Sequence, residues 1–224
     1  MKRYFDILLR AIITGFAIGI GGVVCLSCES RYIGAALFGT GLFVILTFGL
    51  SLFTGKVGYA VENKPAYIID LLIIWAGNFI GTAATGLLVL ATRISGIGEK
   101  AKTMCETKLS DNLLSIFILA FFCGMLMFIA ADGYKTIKNP TAQVFAIFLP
   151  VIVFILSGFE HCIANMGNFV VAYILNPDLS LLAMLRNMVV VTIGNIIGGA
   201  GCVGLPYWYI YLRRKNKMDI LSDD

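Results

Sequence analysis

Apolar stretches about twenty residues long recur six times in this 224-residue chain, and that recurrence constrains its fold more than any other feature. A helix needs about 20 apolar residues to cross the hydrocarbon core of a bilayer. Inside that core the backbone must satisfy its own hydrogen bonds, so only helices or closed barrels span it. The stretches run roughly Ile7–Leu26, Ile33–Phe53, Ile68–Ala91, Leu113–Ala131, Val144–Leu175 with an interior break, and Leu181–Leu212. Barrel strands would alternate apolar and polar residues over about ten positions. These stretches do not alternate, so the expected fold class is an all-α membrane protein with six transmembrane helices. Composition agrees, at 59% hydrophobic and 13% charged, against about 25% charged in a soluble domain. The first stretch is too long and too rich in glycine for a cleaved signal peptide.

Basic residues set the expected orientation. With both termini cytoplasmic, the inside holds Lys2, Arg3, Arg10, Lys56, Lys64, Lys135, Lys138, Arg213, Arg214, Lys215 and Lys217; the outside holds Arg31, Arg93, Lys100, Lys102, Lys108 and Arg186. Eleven against six follows the rule that cytoplasmic loops are basic. The net charge of +4 needs no nucleic acid partner, and the tail Arg213–Lys217 reads as an anchor beside lipid headgroups. The cysteines Cys25, Cys28, Cys105, Cys123, Cys162 and Cys202 are scattered. Cys25 and Cys28 have metal-like spacing, but no second pair or histidine lies near them. They read as buried packing residues, and neither metal nor cofactor is implied.

The two halves rhyme. Gly77-Asn78-Phe79-Ile80-Gly81 in the third span is echoed by Gly194-Asn195-Ile196-Ile197-Gly198 in the sixth. A hydroxyl–glycine pair interrupts the span before each, Thr54-Gly55 in the second and Ser157-Gly158 in the fifth. Three spans followed by three must be inverted in the membrane, so repeat one is expected over about residues 1–92 and repeat two over about 108–212, within a single domain 1–224. Inverted repeats with broken helices at matching places point to a transport site near the midplane. Asn78 and Asn195 read as clamps between helices, since the glycines beside them allow close approach.

One histidine, His161, lies in the fifth stretch beside Glu160, where charge is expensive and usually faces a cavity or pore. A buried, satisfied histidine is the alternative. Unwound backbone at that depth lines a water-filled cavity or is buried in protein, and its free amides with a resumed half-helix end suit an anion. Phe38, Leu42, Leu52, Phe53, Phe154 and Phe159 supply an apolar lining. Such rings strip water from what passes. The combination points to a small monovalent anion or its conjugate acid. A histidine of ordinary pKa near 6.5 can exchange a proton with it near neutral pH. Glu160 points about 100 degrees away from His161 on a helix and reads as a holder of a neighbouring loop or helix end; Asn165, one turn further on, is expected with His161 among the pore and substrate-binding residues.

At these residues the chain resembles the formate/nitrite transporter family. Ser157 to Met166 is similar to its fifth-span signature, Leu52-Phe53-Thr54-Gly55 to its broken second span, Gly77–Gly81 to its third-span motif, and Val191 to Gly199 to its sixth. The resemblance implies an aquaporin-like six-helix protomer with its own pore, assembled as a homopentamer in the plasma membrane and passing formate, nitrite, hydrosulfide or similar small acids. It implies His161 as the central pore histidine and Thr54 as its partner. Leu52 and Phe154 would form the outer constriction, with Phe38 and Leu42 on the cytoplasmic side. Lys108, placed at the start of the fourth span, would attract anions; as a residue read alone, a solvated loop lysine is equally open.

Two positions depart from the family pattern. Ser51 stands where glutamate usually precedes Leu-Phe-Thr, and Gly124 where asparagine commonly follows the fourth-span cysteine, a loss expected to leave more room in the pore. A sensor or assembly subunit that kept the fold and lost transport is the competing class; the presence of both Thr54 and His161 argues against it. A water or glycerol pore would carry paired Asn-Pro-Ala signatures, which are absent, and no nucleophile–base set suggests an enzyme.

Overall fold

The computed structural model describes residues 2–211; Leu212 and the tail Arg213–Lys217 lie outside the described residues. Over that range the chain is helical, with no strand among the described residues. The helices are α1 Lys2–Ser27, α2 Arg31–Thr47, α3 Phe53–Lys56, α4 Tyr67–Leu90, α5 Ile97–Ser110, α6 Leu113–Thr136, α7 Pro140–Leu156, α8 Cys162–Leu175 and α9 Leu181–Ile196. A 3-10 turn, Val57–Val61, follows α3, and π turns at Ile197–Gly204 carry the last helix on to Tyr211. By length and composition α1, α4, α6 and the stretch Leu181–Tyr211 can each cross a membrane; α2, α7 and α8 are apolar but shorter.

Helix starts follow from local chemistry. Ser30, Asn112, Asn139 and Ser180 each accept the backbone N–H three residues on. A side-chain oxygen there satisfies one of the amides that the first turn leaves without a partner. Pro140 stands at the start of α7, where its missing N–H costs nothing.

Small residues hold the layers together. α1 packs on α4 where Gly15 faces the carbonyl of Asn78 and Gly81 faces that of Ile12; α6 packs on α9 where Gly124 faces the carbonyl of Asn195 and Gly198 that of Phe121. A Cβ at any of the four would overlap a main-chain carbonyl. The space expected at Gly124 is therefore not pore space. The missing side chain lets two backbones touch, and an asparagine there would force α6 from α9.

Two further expectations change. The segment between the third and fourth spans is not a loop, because Ile97–Ser110 forms α5, with Gly98, Ala101 and Cys105 buried along one stripe. That stripe, spaced three and four residues apart, is a helical signal in the sequence. Lys108 accordingly sits on α5 and not at the start of the fourth span. Of the cysteines, Cys105, Cys123 and Cys162 are buried, whereas Cys25 and Cys28 are only half-buried and Cys202 is exposed.

Candidate functional site

Two stretches without helix, 48–52 and 157–161, interrupt the apolar run. Each turns on a glycine in the left-handed region, Gly49 at φ 62° and Gly158 at φ 69°. Side chains resist that conformation and glycine does not. Gly158 was expected at a break; Gly49 was not. Thr54-Gly55, expected to interrupt the second span, lies inside α3. The true counterpart of Ser157-Gly158 is Phe48-Gly49.

The same hydrogen bonds recur at both stretches, 109 positions apart. Phe48, Gly49 and Leu50 donate to Val44, Leu46 and Ile45; Ser157, Gly158 and Phe159 donate to Val153, Ile155 and Phe154. Asn78 accepts from the amide of Phe53 at 2.9 Å and donates to the carbonyls of Ser51 and Ala11, both at 2.9 Å. Asn195 accepts from Cys162 at 3.0 Å and donates to Glu160 at 2.9 Å and Ala120 at 2.7 Å. Both asparagines are wholly buried. The amides of Phe53 and Cys162, at the start of each resumed helix, are thus engaged. Ser51 donates to the Thr14 hydroxyl, and Glu160 to the carbonyl of Leu119.

Between Glu160 and Cys162 stands His161, the residue that caps α8. Its Nδ1 accepts the backbone N–H of Ala164 at 3.1 Å. A backbone N–H can only donate, so Nδ1 carries no proton and the ring is the neutral tautomer with hydrogen on Nε2. Nε2 lies 3.0 Å from the hydroxyl oxygen of Thr54, and both residues are buried. With Nε2–H donating to that oxygen, the threonine hydroxyl keeps its own proton for another acceptor. Protonating His161 would sacrifice the cap bond.

One cavity reaches His161, and a second lies beside the first break. A vestibule of about 580 Å³ reaches Phe38, Phe154 and His161, and a pocket of about 70 Å³ reaches Leu42, Leu52 and Gly55. The apolar residues pair differently from expectation. Phe38 lies edge-on to Phe154 with ring centroids 5.6 Å apart, and Phe154 lies 5.7 Å from the His161 ring. Leu42 and Leu52 line the smaller pocket together. Phe38 of α2 thus pairs with Phe154 of α7, and Leu42 of α2 with Leu52 of the first break. Phe53 is buried in the core and lines neither cavity.

Lys108 reaches into the vestibule wall and donates to Glu160 Oε1 at 2.6 Å. Glu160 Oε2 accepts from Asn165 at 2.5 Å, and Asn165 also donates to Asn187 Oδ1 at 3.2 Å. Glu160 therefore pairs with a lysine as well as holding a loop, and Lys108 is neither solvated nor a free charge. Asn187, a buried member of this chain of contacts on α9, was not singled out from sequence. Its position beside Arg186 in an otherwise apolar stretch is the signal that would have found it.

Residues 1–209 match the formate/nitrite transporter family. The chain belongs to that family. Among relatives of the formate/nitrite transporter family, the formate channel BtFdhC of Bacillus thuringiensis is 30% identical over 83% of this chain and 75% of its own length. The formate channel FocA of Escherichia coli (strain K12) is 28% identical over 84% of this chain and 76% of its own. A solved structure described as a pentameric formate channel with formate bound superposes with a TM-score of 0.81 at 28% identity, covering 94% of this chain and 98% of that one. The protein is a multi-pass membrane transport protein and not an enzyme.

Proposed function

We propose that the protein is a transmembrane channel for small monovalent anions, such as formate, nitrite, hydrosulfide or similar weak acids, with a pore in each protomer of a homopentamer. The observation that carries this reading is the buried Thr54–His161 pair, with a cavity that reaches His161 past Phe38 and Phe154 and a second that reaches Leu42, Leu52 and Gly55 next to Thr54. Six crossings follow if α2 with α3, and α7 with α8, each make one broken span. The recurrence of the break hydrogen bonds supports two inverted three-helix repeats. With the basic residues inside, both termini are cytoplasmic in the plasma membrane, the vestibule opens outward and the smaller pocket faces the cytoplasm.

The phenyl and leucyl constrictions remove water from the passing anion, which is tolerable only if polar groups replace it at the centre. The Thr54 hydroxyl, oriented by the His161 Nε2–H, is the donor in place. The cap bond at Nδ1 favours a neutral, donating histidine over a ring that titrates. On this account passage is passive, and its pH dependence is that of the permeant acid.

Flux into liposomes carrying the purified protein tests the reading, comparing formate, nitrite, hydrosulfide, acetate and chloride. Small weak-acid anions pass and chloride passes far more slowly. Thr54→Val lowers flux about tenfold or more, since the lost hydroxyl leaves a buried donor without a partner. His161→Asn keeps a cap and a donor, so its pH profile between about 5 and 8 superimposes on that of wild type. A wild-type profile steeper than the permeant acid's own ionisation, flattened in His161→Asn, would instead make His161 a proton relay.

A further inference from the structure

The two mouths of the pore differ in charge. The vestibule is balanced, with Arg31, Lys100 and Lys108 against Glu29, Asp111 and Glu160. Two of its bases are also occupied by carbonyls at helix ends. Arg31 donates to Ile155 and Leu156, and Lys100 to Leu26. The smaller pocket, against Leu42 and Leu52, is lined by Lys56 and Lys135, and none of its described lining residues is a carboxylate.

Lys56 closes α3 two residues after Thr54 and is half-buried. Among the described residues its side chain makes no hydrogen bond or ion pair. The charged groups near enough to act on it are Lys135 and Arg10, both cations. Lys135 lies 3.9 Å over the ring of Tyr59 and feels the carboxylates of Asp132 and Glu62. Asp132 in turn accepts from the Tyr59 hydroxyl at 3.0 Å. The charge of Lys135 is thus partly offset, whereas that of Lys56 is not. The Tyr67 hydroxyl donates to the Lys56 carbonyl at 3.2 Å, which fixes the backbone that carries it. At about 70 Å³ the pocket is several times the roughly 10–15 Å³ that admits one water.

We propose that Lys56, backed by Lys135, is an anion-recruiting site at the smaller mouth, selecting the ionised form of the substrate over its conjugate acid. The proposal rests on the channel reading. A passive pore has equal permeability in both directions at low substrate concentration. The site therefore shows itself through screening applied from one side, and not through pumping.

Liposomes with the channel in one orientation, assayed with formate, separate the outcomes. Sodium gluconate, whose anion exceeds the slit, is raised on one side only from about 10 to about 150 mM, shrinking the screening length from about 30 to about 8 Å. On the Lys56 side this lowers wild-type flux about 1.5-fold, the part of a unit charge's pull over about 7 Å in water-like surroundings that the shorter screening length removes. On the vestibule side it has a smaller effect. Lys56→Gln starts about twofold lower and loses most of the response, while Lys56→Arg keeps both. Equal screening from the two sides of the wild type overturns the proposal without any variant, as does a Lys56→Gln pentamer that matches wild type at low salt. A wild-type protein that passes neither formate nor any other small anion fails the channel reading itself.

Discussion

At the first break Asn78 grips the backbone of Ser51 and Phe53, and at the second Asn195 grips Glu160 and Cys162, with the same donors and acceptors. Between the gripped residues stands Leu52 in one case and His161 in the other. Leu52 caps α3 with no side-chain bond, while His161 caps α8 through Nδ1. Beside them, Ser51 in the first break takes the place that Glu160 has in the second, where it holds Lys108 and Asn165. One scaffold has thus been kept twice, and the chemistry placed on it once. A break in a helix at membrane depth is costly wherever it occurs, so both copies need the clamp. On the proposed channel reading a polar centre is needed at a single point in the path, so one copy is free to be apolar.

The largest expected effect comes from the clamps, and it should be the same at both. Asn78→Ala and Asn195→Ala each strip partners from buried backbone groups, at about 1–3 kcal/mol for every group left unsatisfied. Both variants should lose most of the detergent-stable oligomer, measured by size-exclusion chromatography after mild heating. Loss at only one would break the equivalence of the two scaffolds.

His161→Leu copies the first break's residue into the second. It removes the cap on Ala164 and the donor to Thr54 but keeps an apolar side chain in an apolar wall. Formate flux should fall about a hundredfold while the oligomer survives, as two lost polar contacts of about 1–1.5 kcal/mol each predict. Flux near wild type would show that the path does not use the difference between the breaks.

The smallest effect distinguishes Ser51 from Glu160. Glu160→Gln leaves Lys108 without its counter-charge at the vestibule wall and should cost about 2 kcal/mol, below the roughly 3–5 kcal/mol of a pair sealed from water. Adding Lys108→Met should recover part of that loss. Ser51→Ala should fall within about 0.5 kcal/mol of wild type in thermal unfolding. A Glu160→Gln protein as stable as Ser51→Ala would mean that the ion pair contributes nothing to the second break.

The linear chain already dictates that the fold is helical and membrane-embedded, because runs of about 20 apolar residues have no other way to satisfy their backbone. It also singles out Thr54, His161, Asn78, Asn195 and Glu160, since polar residues in apolar stretches are rare enough to stand out. Long-range geometry was not legible. That Gly49 and not Gly55 turns the first break depends on backbone angles set by packing. That Phe38 faces Phe154, and Leu42 joins Leu52, depends on how α2 meets the two breaks. That Gly124 seats a helix, and that Lys108 is bound to Glu160 while Lys56 has no ionic partner among the described residues, depends on which elements meet in space. Hydropathy acts locally along a strand of sequence, whereas charge pairing and close packing are decided between residues far apart in it, and only the folded chain brings those together.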